Sequence, residues 1–138
     1  TVLMASTLPL SGNVRGIVAD CGFTSPREEF IHVLHTRFRL PAFPILPLAA
    51  RIAAKKADFD FDGCSAAREL AYCRYPVLFV HGTADTFVPP EMTRTNYDAC
   101  VSEKELLLIE GADHGMSYSV DPETCLDRLM PFYRSHVN

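Results

Sequence analysis

Short apolar runs alternate with longer amphipathic stretches along the chain. Residues 76–80 (P-V-L-F-V) and 105–109 (E-L-L-L-I) are almost unbroken apolar runs, the pattern of strands buried on both faces of a parallel sheet. Residues 14–20 (V-R-G-I-V-A-D) form a shorter run of the same kind. Helical stretches separate the three. This alternation predicts an α/β fold with about three parallel strands and crossover helices.

The helices have their own signals. Residues 1–8 are small and apolar and end at Ser11-Gly12-Asn13, which reads as the tail of a buried helix. At 24–28 (T-S-P-R-E), Ser25 suits an N-cap, Pro26 the first turn, and Glu28 completes a capping box. Phe30, Ile31, Val33, Leu34 and Phe38 then supply an apolar helix face. Residues 40–47 carry three prolines and predict a bend, followed by helix at 48–56 with a basic end. Further helices are expected at 65–72, 89–101 and 122–136.

Composition narrows the class without naming a function. The 138 residues are 48% hydrophobic and 22% charged, with a net charge of -4. That is an ordinary globular balance. A mildly acidic chain with no basic stripe gives no expectation of nucleic-acid binding. The five cysteines are widely spaced with no C-x-x-C pair. They read as reduced, mostly buried thiols, not as a disulfide framework or zinc site. No run approaches the ~20 apolar residues of a membrane span, and a cytoplasmic location is expected.

The chemistry concentrates at two strand ends. The run 76–80 leads into His81-Gly82-Thr83-Ala84-Asp85-Thr86-Phe87-Val88-Pro89, a tight turn holding an acid. The run 105–109 leads into Gly111-Ala112-Asp113-His114-Gly115. In open α/β sheets, functional groups gather beyond the carboxyl ends of the strands. Asp85 and His114 are 29 positions apart, room for one helix and one strand. The two side chains are therefore expected within reach of each other on adjacent loops. A serine hydroxyl needs a base near neutral pH, and a histidine serves when a carboxylate fixes its tautomer. His81 competes for the base role but lies at the strand end, where it reads as a structural histidine. Asp113 competes for the acid role but adjoins His114, where it reads as a loop-shaping residue.

Two other patterns carry weaker readings. Asp58-x-Asp60-x-Asp62-Gly63 with Glu69 fits a calcium-loop spacing. The alternating Phe59 and Phe61 favour an extended segment packing one face, and Asp62 or Ser65 a helix N-cap; no metal or cofactor is expected. Residues 28–56 exceed what one crossover needs. Phe38, Leu40, Phe43, Ile45, Leu46 and Leu48 are candidates for an apolar pocket or for ordinary helix packing.

The HGTADTFVP turn and GADHG loop, followed by a terminal helix, resemble the last third of α/β-hydrolases. The similarity is to bacterial serine hydrolases of the serine aminopeptidase-like or BEM46-like esterase group. The small residues 1–6 and the segment 18–25 (V-A-D-C-G-F-T-S) resemble that group too. The resemblance covers essentially the whole chain. It implies cleavage of a small-molecule ester or related acyl bond by a Ser-Asp-His triad, with Asp85 and His114 as acid and base, and a lid over the cleft at 28–56, where those apolar side chains would line an acyl pocket. A non-catalytic module of the same fold, a peptidase and an acyltransferase remain open. The family order is serine, acid, histidine, yet no G-x-S-x-G occurs here. The chain therefore reads as a partial domain, 1–138, with its nucleophile elsewhere and inactive by itself. The strand 14–20 would lack a neighbour, so an oligomer or association with the missing half is expected.

Overall fold

The computed structural model describes residues 1–137. Three parallel strands form one sheet in the order β1 (Ile17–Asp20), β2 (Val77–Gly82), β3 (Lys104–Ile109). Ile17 stands opposite Val77, and Val77 opposite Lys104. All three strands thus end at the same edge, where Cys21, the turn after Gly82 and the loop after Ile109 meet. The expected α/β architecture is present.

Every residue of the central β2 is buried, as its unbroken apolar run requires. Side chains alternate across the sheet. Ile17, Ala19, Val77 and Phe79 face one layer, with Leu3 of α1 (Val2–Ala5) and Leu70 of α4 (Ala66–Leu70). Helix α5 (Pro90–Ala99) supports this layer, and Phe79 meets Tyr97 edge-on. Leu78, Val80, Leu107 and Ile109 face the other layer, with Cys125 and Phe132 of α7 (Pro122–Val137). Leu70, Val77 and Leu78 are sealed from solvent, each stabilising the fold by roughly 1.5–3 kcal/mol. All five cysteines are free, four of them buried. β1 is different: Val18 and Asp20 are exposed on one face, and among the described residues its only strand neighbour is β2.

Helix α2 (Pro26–Arg37) begins as its sequence demands. The Ser25 side chain accepts a hydrogen bond from Glu28 N at 3.2 Å, with Pro26 in the first turn. The Glu28 carboxylate accepts from Thr24 Oγ1, so the capping box is only half formed. The expected apolar face of α2 is only partly covered, with Ile31, Val33 and Leu34 half-buried. Phe30 and Phe38 are exposed, and the buried residue of the helix is Glu29.

The expected bend at 40–47 is present as a kink at Phe43, but helix begins earlier than expected. Helix α3 (Ala42–Ala57) includes most of it, with Phe43 alone in an extended conformation. Regular helix resumes at Pro44, which places Pro47 in its first turn. There the missing N–H costs only the first intrahelical bond, the one to Phe43 O. Short helix α6 (Ser117–Val120), which the periodicity did not predict, follows the GADHG loop.

The acid-rich segment is spent on structure. Asp62 pairs with Arg27, and Asp60 accepts from the Asp62 N–H at 2.9 Å. Phe61 is buried against Phe30 and Phe59. The Ser65 hydroxyl caps α4 through Arg68 N.

Candidate active site

Asp85 is held by its own turn. Its Oδ1 accepts from the backbone N–H groups of Phe87 and Val88, both at 2.9 Å. Its Oδ2 lies 2.7 Å from His114 Nδ1 and 3.1 Å from His81 Nε2. Four donors therefore fill the four acceptor positions of one buried carboxylate. Burial alone would raise the Asp85 pKa. The His114 hydrogen bond and the Val88 and Phe87 N–H groups outweigh it and hold the carboxyl below its usual range.

A carboxylate with a depressed folded pKa contributes stability above its unfolded pKa, about 3.9, and loses it as pH falls through the folded value. Thermal melts between pH 7 and 2 should show this contribution intact at neutral pH and fading only below about pH 4. A contribution that disappears near pH 6 would contradict it.

His114 donates through Nδ1, so in the neutral ring Nε2 carries the lone pair. This is the tautomer that accepts a hydroxyl proton. The imidazole is 41% exposed and meets Phe87 edge-on at 5.1 Å between ring centroids. Gly111 and Gly115, at φ +71° and +66°, bracket its loop. The structure thus brings together the two residues that the strand-end pattern selected.

The competing residues fall elsewhere. Asp113 is exposed, and its Oδ1 accepts from the His114 backbone N–H at 2.8 Å. His81 is fully buried. Its Nε2 faces two acceptors, Asp85 Oδ2 and Val88 O at 3.0 Å, and so carries a proton. On the other side Nδ1 lies 2.6 Å from the Thr93 hydroxyl, which also reaches Gly22 O at 3.2 Å. His81 thus sits sealed at the strand end and grips the acid directly.

Two residues near the pair escaped the sequence reading. Cys21, at the end of β1, has φ +52°, and its Sγ accepts from Gly115 N at 3.3 Å. Burial pushes its thiol up to about 12. Glu29 is buried with neither carboxylate oxygen hydrogen-bonded among the described residues. Burial raises its pKa, with the neighbouring charges of His32, Asp85 and His114 as smaller influences. A cavity of about 520 Å³ opens beside Cys21, lined also by Leu3, Phe23 and Phe59. The apolar residues of 38–48 do not share one place. Leu46 is buried, while Phe43, Ile45 and Leu48 line an open groove along α3.

The sequence profile of the family described as "Serine hydrolase (FSH1)" matches residues 4–115, most of the chain and both members of the pair. The chain belongs to this serine hydrolase family. A curated relative of this FSH1-family chain, the uncharacterized protein YqkD of Bacillus subtilis, is 27% identical over 132 residues. The match takes in 96% of this chain and 43% of that protein, so the chain spans less than half the length of its relative. Among solved structures, the acylaminoacyl peptidase of Pyrococcus horikoshii superposes with a TM-score of 0.67 at 16% identity, over 96% of this chain and 22% of that one. The esterase domain of a Rhodothermus marinus protein gives 0.66 at 14% identity, over 99% and 56%. A Mycobacterium tuberculosis puromycin-hydrolyzing peptidase gives 0.66 at 19%, over 99% and 20%. These likenesses establish the α/β-hydrolase fold for the FSH1-family chain, in agreement with the resemblance drawn from its turn and loop motifs.

Proposed function

We propose that this chain carries the acid and base of a serine hydrolase that cleaves carboxylic esters or related acyl bonds through an acyl-enzyme. His114 Nε2 takes the proton of the attacking serine and returns it to the leaving group. Asp85 holds the ring and stabilises the imidazolium that forms. The observation that carries this reading is the 2.7 Å bond from His114 Nδ1 to a buried carboxylate already held by two backbone N–H groups. The base would otherwise lose orientation at each turnover.

The serine belongs, on this reading, to a segment outside these 138 residues, because G-x-S-x-G does not occur within them. The open edge of β1 is where its strand would pair. Residues 28–56, with the groove along α3, would form a lid over an acyl chain. A fluorophosphonate should therefore leave this chain unlabelled. A form extended N-terminally to the length of the relatives should be labelled at one serine, and His114→Ala should abolish that labelling. Labelling of the 138-residue chain, or an extended form indifferent to His114→Ala, would overturn the proposal. Short-chain esters, long-chain esters and an aminoacyl amide given to the extended form sort esterase from peptidase chemistry.

A further inference from the structure

We propose that Cys21, Asp85 and His114 form a binding site for a thiophilic divalent cation of the zinc and cadmium class, whose occupation disables the acid–base pair. One sulfur, one carboxylate oxygen and one imidazole nitrogen from these residues lie within 4.8 Å of one another. Each comes from the end of a different strand, so no spacing in the sequence announces the set. Thiolate, imidazole and carboxylate are the ligands that zinc takes, at about 2.0–2.3 Å in a tetrahedral arrangement with water completing the shell. Those bond lengths place donor atoms roughly 3.3–3.6 Å apart. His114 Nδ1 and Asp85 Oδ2, now 2.7 Å apart, must open by somewhat under about 1 Å to admit the ion, and the sulfur lies within 4.8 Å of both.

The surroundings suit the ion. Gly115 N–H points at Cys21 Sγ, whose S–H donates to Asp20 Oδ1 at 3.2 Å; the ion has to displace that proton from a buried thiol that burial and Asp20 hold in its neutral form. Asp85 Oδ1 is held by the Phe87 and Val88 N–H groups, so Oδ2 is presented in a fixed direction. His114 is the exposed member and supplies the way in.

The proton balance is simple. The Cys21 S–H bond is replaced by a sulfur–metal bond, and that proton leaves to solvent. The His114 proton moves from Nδ1 to Nε2, freeing Nδ1 for the ion. No oxidant or reductant is required. Nε2 is then protonated and Asp85 is occupied, so the ring cannot accept a serine proton. This last consequence rests on the function proposed above; the binding itself does not.

Cadmium alone is the probe, titrated into the 138-residue chain and followed by thiolate-to-cadmium absorption, with dialysis for stoichiometry. The expected result is one ion per chain and affinity that rises with pH. Affinity should fall at least about a hundredfold in Cys21→Ser and in His114→Gln. It should be unchanged in Cys100→Ser, a control for the other buried thiols. His114 is exposed, so its variant tests the site even if the buried Cys21→Ser fails to fold. Unchanged affinity in His114→Gln, loss in Cys100→Ser, or binding no tighter than millimolar would overturn the site. Binding as described with no loss of activity in an extended, active form would leave the site standing and count against the catalytic reading alone.

Discussion

Asp85→Asn should lower kcat/KM of an extended, serine-bearing form by about 10⁴-fold, the order expected when a triad acid loses its charge and holds the wrong tautomer. The cause is directional. The backbone N–H groups of Phe87 and Val88 occupy Oδ1, so the asparagine must keep its carbonyl oxygen there. Its amide nitrogen then faces His114 Nδ1 and donates to it. The ring proton is driven to Nε2, the position from which a hydroxyl proton should be accepted. On the 138-residue chain the same change is visible without substrate, as a reversal of the His114 tautomer in nitrogen NMR. A loss under tenfold, or an unchanged tautomer, would remove Asp85 from the role proposed for it.

Gly82→Ala should be the most disruptive single methyl addition at a glycine of this chain. A Cβ at Gly82 would lie 2.2 Å from the backbone oxygen of Ala112 and 2.6 Å from its carbonyl carbon. Neither atom belongs to a flexible side chain. The crossing is welded on both sides, since Thr83 N donates to Ile109 O and Ala84 N to Ala112 O. Relief requires the loop that carries His114 to lift away from the turn that carries Asp85. Overpacking of this kind costs about 3 kcal/mol or more. Urea melts should show that loss, and the His114 ring signal should lose its dependence on Asp85. Gly12→Ala, where an added Cβ meets nothing within 4 Å, is the control. A Gly82→Ala variant as stable as that control would mean the two loops do not lock at this point.

The strands and the acid–histidine pair were legible because both depend on local order. An apolar run buried on two faces can be read directly, and so can a turn of Gly, Thr and Asp behind it. Other features depend on what packs where. The apolar positions of α2 predict one apolar face, of which Ile31, Val33 and Leu34 are half-buried, yet Glu29 is the residue that goes fully inside while Phe30 and Phe38 stay exposed. Nothing in periodicity marks such an inversion. The helix through Pro44 and Pro47 does not follow from composition, because proline is tolerated near a helix start and the register of that start, set by the kink at Phe43, is not visible there. Cys21 carries no local signal of its own, because its relation to His114 spans 93 positions and exists only once β1, β2 and β3 lie side by side. His81 reads as structural, but its grip on Asp85 follows from a strand end curling back over its own turn.

The ligands of Asp85 divide unequally along the chain, with a consequence for the order of folding. Phe87 N, Val88 N and His81 Nε2 all lie within four residues of it, so the carboxylate can be caged as soon as β2 and its turn are in place. His114 arrives from 29 positions away, after α5 and β3 have closed a long loop, and such closures are slow relative to local turns. The negative charge is thus prepared first, and the base docks onto it late. In a refolding time course, protection of the Phe87 and Val88 amides from exchange should precede the appearance of the native His114 environment.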